Sequence, residues 1–510
     1  MSKQQQSFAA TAAAKRGPSP PSSDQIKKKR RETPTTILSL DPDIVTTIFA
    51  FLDMFDLVRC SLVCKLWNAI VESRSLREFC ERKMHKSFAE FTKKPLRVIL
   101  GEVAMEQHSL ALQCGGFYVD QWKAHSTTVA QCRMKMGMLV TGVGHKNRSE
   151  DFGYNIYNLK LHWAITRNFM WLRFGAAKRV PVPGTRERKD VTGSGLRKHA
   201  LYIASFRVIR LWSLDSYKCI EEYSMPDMFS LVDFDFDESK IVGLIGSHLC
   251  IWRRNGKRSI FPSLEGKFVK GSCMRYFDPE AVVGCDDGAV RVFDMYSRKC
   301  SQIIRMHYAP ITCLCLSEDQ LIMSGSTSGS ITMSDPSSVQ QVATLRSSDA
   351  RGIRTLCFNP SSQLLFAGSA VGYAYCWDLR YVAIGTRKLL WSNRVSPNVI
   401  YSLQHMHSDT STLAVGGIDG ILRLLNQNDG SVVSSCVMGD KLLSTFQSPS
   451  GSIQRRKGSR LPENIYINID LIPKTARPSI TCLAVGMKKI VTTHNTNDIR
   501  LWKFKSKISL

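Results

Sequence analysis

The sequence has no apolar run of roughly eighteen residues, the length that a membrane-spanning helix needs. It also lacks the charged-then-apolar start of a signal peptide, since it opens with the polar letters MSKQQQ. These absences argue against a membrane-spanning protein and against a secreted one, so we expect no membrane contact. With 43% hydrophobic and 22% charged residues among 510, the chain is still apolar enough to form two or more packed domains.

Regular cysteine spacing is also missing. The sixteen cysteines are scattered without a CxxC motif, and the closest pair, Cys313 and Cys315, alternates along one predicted strand. This pattern is typical of reduced, mostly buried thiols in an intracellular compartment. The eleven histidines do not fall at ligand spacing beside the cysteines, so we expect no metal site and no cofactor.

Catalytic motifs are absent as well. The sequence has no phosphate-binding glycine loop, no GxSxG and no HExxH in a context that could use them. The Asp and Gly residues at 286–288 and 419–420 are interpreted as turn formers between strands. We therefore expect no active site and a protein that is not an enzyme.

Acidic residues are few, because 43 Asp and Glu against 69 Lys and Arg give a formal charge of +26. More than half of this excess lies in two segments, residues 1–33 and residues 145–207. The first is rich in Ala, Ser, Pro and Gln without apolar periodicity, which predicts a disordered tail. The rest of the chain is only moderately basic, so the charge argues against a dedicated nucleic-acid-binding face.

Two basic clusters lie in the predicted tail, with ten residues between them. This spacing resembles a bipartite nuclear import signal, and a run of solvated charges is the alternative interpretation. We predict a nuclear protein, with the cytoplasm as a further location. The import signal would consist of Lys15, Arg16, Lys27, Lys28, Lys29, Arg30 and Arg31.

Residues 37–79 follow the pattern of two or three short amphipathic helices. Asp41 followed by Pro42 indicates an N-cap with proline in the first turn, and Asp56 can cap a second helix. Apolar residues recur at helical spacing after each cap. About 45 residues of this kind bury too little surface to fold unaided. Some of this apolar surface must therefore meet another domain or another protein.

The letters DLVRCSLVCKLW, which end at Trp67, and the apolar residues before them resemble the F-box family. One departure is Asp41, which separates the first leucine from Pro42 where the family usually has the proline directly. The resemblance implies docking to the Skp-type adaptor of a cullin-based ubiquitin ligase, with apolar side chains as buried anchors. A helical hairpin that packs on the rest of this chain is the alternative. The family's adaptor contacts fall on Leu40, Ile44, Ile48, Leu52, Leu57, Val63, Cys64 and Trp67.

We assign residues 34–80 to this module and 81–108 to a charged, partly helical connector. From residue 109 to 510, short apolar strands alternate with Gly, Asp and Ser turns, which predicts an all-β domain. A turn followed by Val or Ile, Arg, Leu or Val and an aromatic residue recurs there in seven strong or weak copies. They begin at Val208, Leu249, Val290, Ile331, Ala374, Ile421 and Ile499.

These copies resemble the WD-repeat β-propeller family. The Trp-Asp ending of the family is intact only at Trp377-Asp378, and the Gly-His start survives only as Ala124-His125 and Met306-His307. Once two interruptions are set aside, each copy spans about 41 residues, which is the period of a propeller blade. The resemblance implies a seven-bladed propeller, and a β-sandwich is the alternative.

The two interruptions are residues 145–207 and 440–475. The first separates two predicted strands of one blade, and three interpretations stay open: a surface loop along the ring, a functional basic arm, or a retained non-coding stretch in frame. We favour the last, because deletion would restore the blade. The second is predicted to be a long, flexible surface loop. The stretch 112–119 is predicted to complete the last blade as its outer strand, which would close the ring without exposed edges.

The predicted protein is therefore multidomain, with a small all-α F-box helical module followed by an all-β seven-bladed WD-repeat propeller. Together the resemblances imply a non-catalytic substrate-recognition subunit of a Skp-cullin-F-box ubiquitin ligase. Its partners would be the Skp-type adaptor, through it a cullin, and an unknown protein substrate on the propeller face. In related receptors an arginine cluster often reads phosphorylated motifs, but the sequence names no substrate-binding residue. The alternative is a nuclear WD-repeat scaffold that contacts nucleic acid and has no ligase role.

Overall fold

The computed structural model describes residues 40–84, 94–135, 138–143, 208–224, 231–254, 258–260, 270–346, 351–380, 388–462, 469 and 472–505. These residues form two compact units, one that ends at Gly101 and one that begins at Glu102. The predicted import signal in the tail and the predicted insertion at 145–207 lie outside the described residues. In the part of the chain that the structure describes, no helix is both long and apolar enough to cross a membrane.

The first unit consists of short helices with side-chain caps. Asp41 caps the first helix, because its carboxylate accepts a hydrogen bond from the N–H of Asp43 at 3.0 Å, and Pro42 follows in the first turn. The second cap is Asp53 instead of the predicted Asp56, whose N–H donates to Asp53 at 2.8 Å. The helices are α1 Pro42–Ala50, α2 Met54–Ser61, α3 Lys65–Val71, α4 Arg74–Met84 and α5 Leu96–Cys114.

The predicted boundaries shift in the structure. The predicted connector 81–108 contains the end of α4 and most of α5, which begins in the first unit and ends in the second. Residues 109–114, which we assigned to the β domain, belong to α5, and the first strand begins only at Phe117. The apolar residues of 109–114 fit a helix and a strand equally well, so their pattern could not settle the boundary.

The second unit is built from four-stranded antiparallel blades. After β1 Phe117–Lys123, each of the first five blades uses four consecutive strands. Blade 1 is β2 Val129–Lys135, β3 Met138–Val143, β4 Val208–Ser213 and β5 Cys219–Ser224; blade 2 is β6 Leu231–Phe236, β7 Lys240–Ile245, β8 His248–Arg253 and β9 Arg258–Ile260; blade 3 is β10 Gly271–Phe277, β11 Glu280–Cys285, β12 Ala289–Asp294 and β13 Lys299–Arg305.

The remaining blades continue this order, and the last one borrows β1. Blade 4 is β14 Ile311–Leu316, β15 Ile322–Ser326, β16 Ser330–Asp335 and β17 Gln340–Arg346; blade 5 is β18 Ile353–Asn359, β19 Leu364–Ser369, β20 Tyr373–Asp378 and β21 Lys388–Arg394; blade 6 is β22 Ile400–Gln404, β23 Thr412–Gly417, β24 Leu422–Asn426 and β25 Val432–Ser448. After β26 Gly451–Leu461, blade 7 is β27 Ile480–Gly486, β28 Lys489–His494, β29 Asp498–Phe504 and β1.

The innermost strands of the blades form a closed ring. Each contacts the innermost strand of the next blade, from β2 through β6, β10, β14, β18, β22 and β27 and back to β2. This ring confirms the predicted seven-bladed propeller. In blade 1, β3 and β4 pair with each other, with Val140 opposite Leu211, although 64 residues lie between the two strands in sequence.

Glycine in the second strand of a blade lets the next blade approach. A Cβ atom on Gly284 would lie 2.6 Å from Cγ2 of Ile311, and one on Gly368 would lie 2.7 Å from Cγ2 of Ile400. Both distances are shorter than carbon atoms can approach without a shift of the neighbour. The glycines of the Gly/Ser-rich strands are therefore required by packing between blades.

Buried hydrogen bonds survive in the degenerate repeats. In blade 1, Thr141 accepts from Nε1 of Trp212 at 3.0 Å and lies 2.8 Å from Nε2 of His125. Burial, and then the charge of Arg210, lowers the pKa of His125 to about 3, so its ring is neutral. In blade 4, His307 makes the corresponding contact with Ser324 at 2.8 Å. These bonds satisfy polar groups that the packed blades remove from water.

The ring closes through β1, which pairs with β29 and sets Val119 opposite Trp502. The predicted outer strand of the last blade therefore does come from before the first repeat, but it is β1 at 117–123 and not the stretch 112–119. Asp120 of β1 is fully buried and binds the guanidinium of Arg455, with Nε at 2.6 Å and Nη2 at 2.9 Å. Lys503 lies 3.6 Å away, and the hydroxyl of Tyr217 also donates to Asp120.

The long loop predicted at 440–475 is wrong for residues 440–461. There, β25 and β26 form an extended hairpin, and β26 also pairs with β1, so that blades 6 and 7 share one nine-stranded sheet. The abundant Gly, Ser and charged residues concealed the strands, whose few apolar side chains include Phe446 directly opposite Ile453. The pairing of β26 with β1 could not be read from the local pattern, because β1 lies more than 300 residues earlier in the sequence.

Candidate functional site

The helical unit exposes several large apolar side chains, which we call the exposed apolar face. Three of them are mostly open to solvent, with Phe51 85%, Leu62 71% and Val63 62% exposed. An exposed group of this size within so short a segment is typical of a protein–protein contact. The face consists of Ile44, Ile48, Phe51, Leu62, Val63 and Leu66.

Helix α1 contributes to this face because it is apolar on more than one side. Val45 and Phe49 point inward and are almost completely buried, whereas Ile44 and Ile48 are exposed. Residues four apart lie on the same side of a helix, so each pair forms a short stripe. Only the Val45 and Phe49 stripe is used within the unit.

The turn between α2 and α3 supplies Leu62 and Val63. Its geometry is set by Cys64, whose sulfur accepts a hydrogen bond from the N–H of Trp67 at 3.5 Å and caps α3. The half-buried ring of Trp67 meets Phe49 of α1 edge to face, with 5.3 Å between the ring centroids. This contact packs α3 against α1.

Seven of the eight residues predicted to contact the adaptor are at least partly exposed to solvent. Ile44, Ile48 and Val63 are exposed, and Leu40, Leu52, Cys64 and Trp67 are half-buried. The prediction of an adaptor contact is wrong for Leu57, because its side chain is only 3% exposed and packs inside the unit. The same apolar spacing serves the core there. Phe51, Leu62 and Leu66 were not predicted, although all three lie directly beside predicted contacts or within the segment DLVRCSLVCKLW.

The propeller unit has a different kind of site, a cavity on the axis of the ring. Its volume is about 40 Å³, and residues from all seven innermost strands line it. The charged lining residues are Arg133, Arg275, Arg354 and Asp233, so cations outnumber anions among the described residues of the wall. The structure thus identifies which arginines converge, which the sequence could not show.

Asp233 organises two of these arginines. Its carboxylate lies 3.1 Å from Nη2 of Arg133 and 3.6 Å from Nη1 of Arg275. It also accepts hydrogen bonds from the N–H groups of Phe234 at 2.9 Å and Met274 at 3.0 Å. These bonds satisfy the buried carboxylate and fix the orientation of the arginines around it.

A second carboxylate, Asp235, lies on the same strand. Burial alone would raise the pKa of Asp235, but Lys135 at 2.7 Å and then Arg133 and Arg275 lower it below the ordinary value. The cavity wall is therefore a network of fixed charges with positive charge in excess. Such a wall favours carboxylate or phosphoryl groups of a partner.

All sixteen cysteines lie among the described residues, and each is a free thiol. Over the described ranges, no three His, Cys, Asp or Glu side chains are grouped so that they could hold a metal ion.

Comparisons with known proteins agree with both units. The F-box domain family matches residues 37–79, and the WD domain, G-beta repeat family matches residues 339–378. An F-box/WD-40 repeat-containing protein of Arabidopsis thaliana is 44% identical over 502 residues, which cover 93% of this chain and 96% of that protein. The chain therefore belongs to the F-box/WD-40 repeat proteins.

Proposed function

We propose that this protein is the substrate-recognition subunit of a Skp-cullin-F-box ubiquitin ligase. The helical unit docks on the Skp-type adaptor, which links it to a cullin, and the propeller holds the protein substrate. The subunit itself performs no chemistry. The exposed apolar face of the F-box unit is the single observation that carries the proposal, together with the family to which the chain belongs.

The energetics of the exposed apolar face support docking. Burial of one Val, Leu, Ile or Phe side chain contributes roughly 1.5–3 kcal/mol, so several of the six can offset the cost of association. Leu40, Leu52 and Trp67 are half-buried and can contribute further apolar surface to the contact. A charge placed in the middle of such a contact would be desolvated without a partner.

The propeller supports the receptor role through its cavity. Arg133, Arg275 and Arg354 surround a small space that every blade lines, and their charge suits an acidic group of a substrate. The ring of blades is closed and rigid, so it can present this site without rearrangement.

The test is co-purification of the full chain with a Skp-type adaptor and its cullin. Val63→Asp places a charge in the exposed apolar face and should reduce adaptor affinity at least about 100-fold, because a hot-spot change costs roughly 3 kcal/mol. Ile303→Asp is the matched control, since Ile303 on β13 of the propeller is also 62% exposed. It should bind like the wild type.

The nuclear scaffold without a ligase role makes the opposite prediction. In that case the wild type would not retain the adaptor although its propeller is folded, and salt-sensitive nucleic acid binding would survive removal of residues 1–33.

We also propose nuclear import through the two basic clusters of the tail. Replacement of Lys27, Lys28, Lys29, Arg30 and Arg31 by alanine should move a fluorescent fusion to the cytoplasm. A fusion that stays nuclear would exclude this signal.

A further inference from the structure

Lysine side chains form a row across adjacent strands of the nine-stranded sheet. Lys489 on β28 lies directly opposite Lys503 on β29, and Lys503 lies opposite Tyr118 on β1. Tyr118 in turn lies opposite Lys457 on β26. Residues that lie directly opposite point to the same face of a sheet, so these four side chains share one face. We call Lys489, Lys503 and Lys457 the lysine row.

The lysine row places like charges next to each other. Like charges directly opposite destabilise a sheet. Burial lowers the pKa of the Lys503 ammonium group, and the charges of Lys489 and Arg455 lower it further. The carboxylate of Asp120 opposes this effect, but the pKa of Lys503 stays below its ordinary value. Stability alone therefore does not account for the arrangement, and a local conflict of this kind is expected at functional sites.

Two more cations lie over Tyr118, in the middle of the row. The guanidinium carbon of Arg455 lies 4.1 Å from the centre of the Tyr118 ring, and Nζ of Lys505 lies 5.7 Å from it. Both distances are those of cation–π contacts, which orient the two side chains. Five cations therefore converge on this face of the sheet.

The carboxylates that pair with these five cations are fewer. Buried Asp120 binds two of them, and exposed Asp215 binds a third, Lys489, at 3.0 Å. Over the described ranges of the chain, Lys457 and Lys505 lie within ion-pair distance of no carboxylate. Both side chains are exposed. The face therefore carries an unbalanced positive charge, which attracts an acidic partner.

Two exposed leucines lie at the sheet edge next to the row. Leu442 on β25 is directly opposite Arg456, the residue before Lys457. Leu442 and Leu443 are each 48% exposed. The phosphate backbone of a nucleic acid offers these side chains nothing to bind, whereas a protein segment can combine acidic with apolar residues. The surface therefore fits a protein better than a nucleic acid.

Charge also limits which protein can bind. A second copy of this chain would bring a formal charge of +26 to a basic surface. The segments 1–33 and 145–207 of the chain itself are basic as well. Like charges repel, so an acidic segment of another protein is the complementary partner.

We propose that the lysine row binds an extended acidic segment of a partner protein, whose carboxylates meet Lys457, Lys489 and Lys505. Apolar side chains of the same segment contact Leu442 and Leu443. From Lys489 to Lys457 the row crosses three strand spacings, about 14 Å, which four or five residues of extended chain span. This surface goes beyond the proposed function, because its residues neither line the central cavity nor belong to the helical unit.

The first test measures binding of fluorescein-labelled probes to the full chain by fluorescence anisotropy. The main probe is a peptide of about ten residues that alternates glutamate with leucine or valine. A second peptide has glutamine in place of every glutamate and should bind at least about tenfold more weakly, because it lacks the charge. Added salt should weaken binding of the glutamate peptide and not of the glutamine peptide. Oligothymidine is the third probe and should bind more weakly than the glutamate peptide.

Two double variants with the same change in net charge locate the site. Lys457→Glu with Lys505→Glu should reduce the affinity for the glutamate peptide at least about tenfold. Lys299→Glu with Arg305→Glu is the matched control, because both exposed cations lie on β13 at the outer edge of blade 3. The control should bind the peptide like the wild type.

The proposal is overturned if the wild type binds the glutamine peptide as tightly as the glutamate peptide, or if both double variants weaken binding equally. Tighter binding of oligothymidine than of the glutamate peptide would also overturn it and assign the row to nucleic acid. If a variant does not fold, the comparison of the probes on the wild type still decides. No adaptor is added, so these outcomes are independent of adaptor docking.

Discussion

The two units treat apolar side chains in opposite ways. Between Ile44 and Leu66 the helical unit exposes six large apolar residues, whereas every residue of the blade strands β19 and β23 is buried. A blade is covered on both faces by its neighbours, so these central strands expose no apolar surface that a partner could bind. A few short helices have more sides than they can cover with one another. The helical unit thus leaves large apolar side chains exposed, whereas the central strands of these blades are covered by the propeller itself.

The strand edges at the ring closure show the same difference between the two units. In the propeller, β1 is the outer strand of blade 7 and pairs with β29 on one side and with β26 on the other, so both strand edges of β1 are paired. Unpaired edges invite association with other chains, and the pairing through β26 removes this risk at the closure of the ring. The helical unit has no comparable cover among its described residues, and its exposed apolar face stays open.

The largest effect is expected at the closure of the propeller ring. Asp120→Asn would leave Arg455 and Lys503 without their buried counter-charge at the ring closure. The free energy of unfolding should fall by roughly 3–5 kcal/mol, measured by urea denaturation with tryptophan fluorescence.

Asp215→Asn is the control for this change. Asp215 is 90% exposed and pairs with Lys489 at the surface, so its loss should cost at most about 1 kcal/mol. Equal effects of the two variants would show that the closure does not depend on the buried pair.

A smaller change in stability is expected when leucine is replaced by alanine at a buried and at an exposed position of the helical unit. Leu57→Ala opens a cavity in the core and should destabilise the unit by roughly 2–5 kcal/mol, seen as faster hydrogen exchange in α1 to α3. Leu62→Ala removes the same atoms from a side chain that is 71% exposed and should change stability by less than about 0.5 kcal/mol. It should nevertheless weaken adaptor binding. Stability lost equally in both variants would mean that Leu62 belongs to the core.

The smallest effect depends on pH and concerns Asp409 of the propeller. Burial alone would raise the pKa of Asp409, but His108, Thr412 and Ser411 lower it to about 2. Because the pKa is lower in the folded state than in the unfolded chain, ionised Asp409 stabilises the fold above about pH 4. This stabilisation, about 2 kcal/mol, is lost as the pH falls from 4 toward 2.

Asp409→Asn is the variant that isolates this term. The difference in unfolding free energy between wild type and Asp409→Asn should be constant between pH 5 and pH 7 and shrink at pH 3. A difference that does not change with pH would show that the carboxylate charge of Asp409 does not contribute.

Much of the fold follows from local sequence patterns. The caps and apolar stripes of α1 to α3 lie within a few residues of one another, and the seven copies of the Arg-Leu-Trp pattern mark the third strand of each blade. The hairpin at 440–461 was hidden by its many Gly, Ser and charged residues. The exact start of β1 could not be predicted, because its pairing partners β26 and β29 lie hundreds of residues away. Ring closure is a property of the whole chain and has no local signature.

The candidate sites were predictable to different degrees. Helical spacing indicated the exposed apolar face, yet it could not separate Leu57, which points inward, from Val63, which points outward, because both follow the same pattern. The arginines of the cavity come from β2, β10 and β18, and only the closed ring brings them together.

In the proposed complex an adaptor covers the exposed apolar face of the helical unit, and the propeller strands stay as they are in the free protein. Hydrogen exchange of the full chain, with and without a Skp-type adaptor bound to its cullin, tests it most directly. We expect slower exchange in α1 and across the turn from α2 to α3, and no change in the strands of the propeller. Unchanged exchange in these helices, or protection confined to the propeller, would contradict the account.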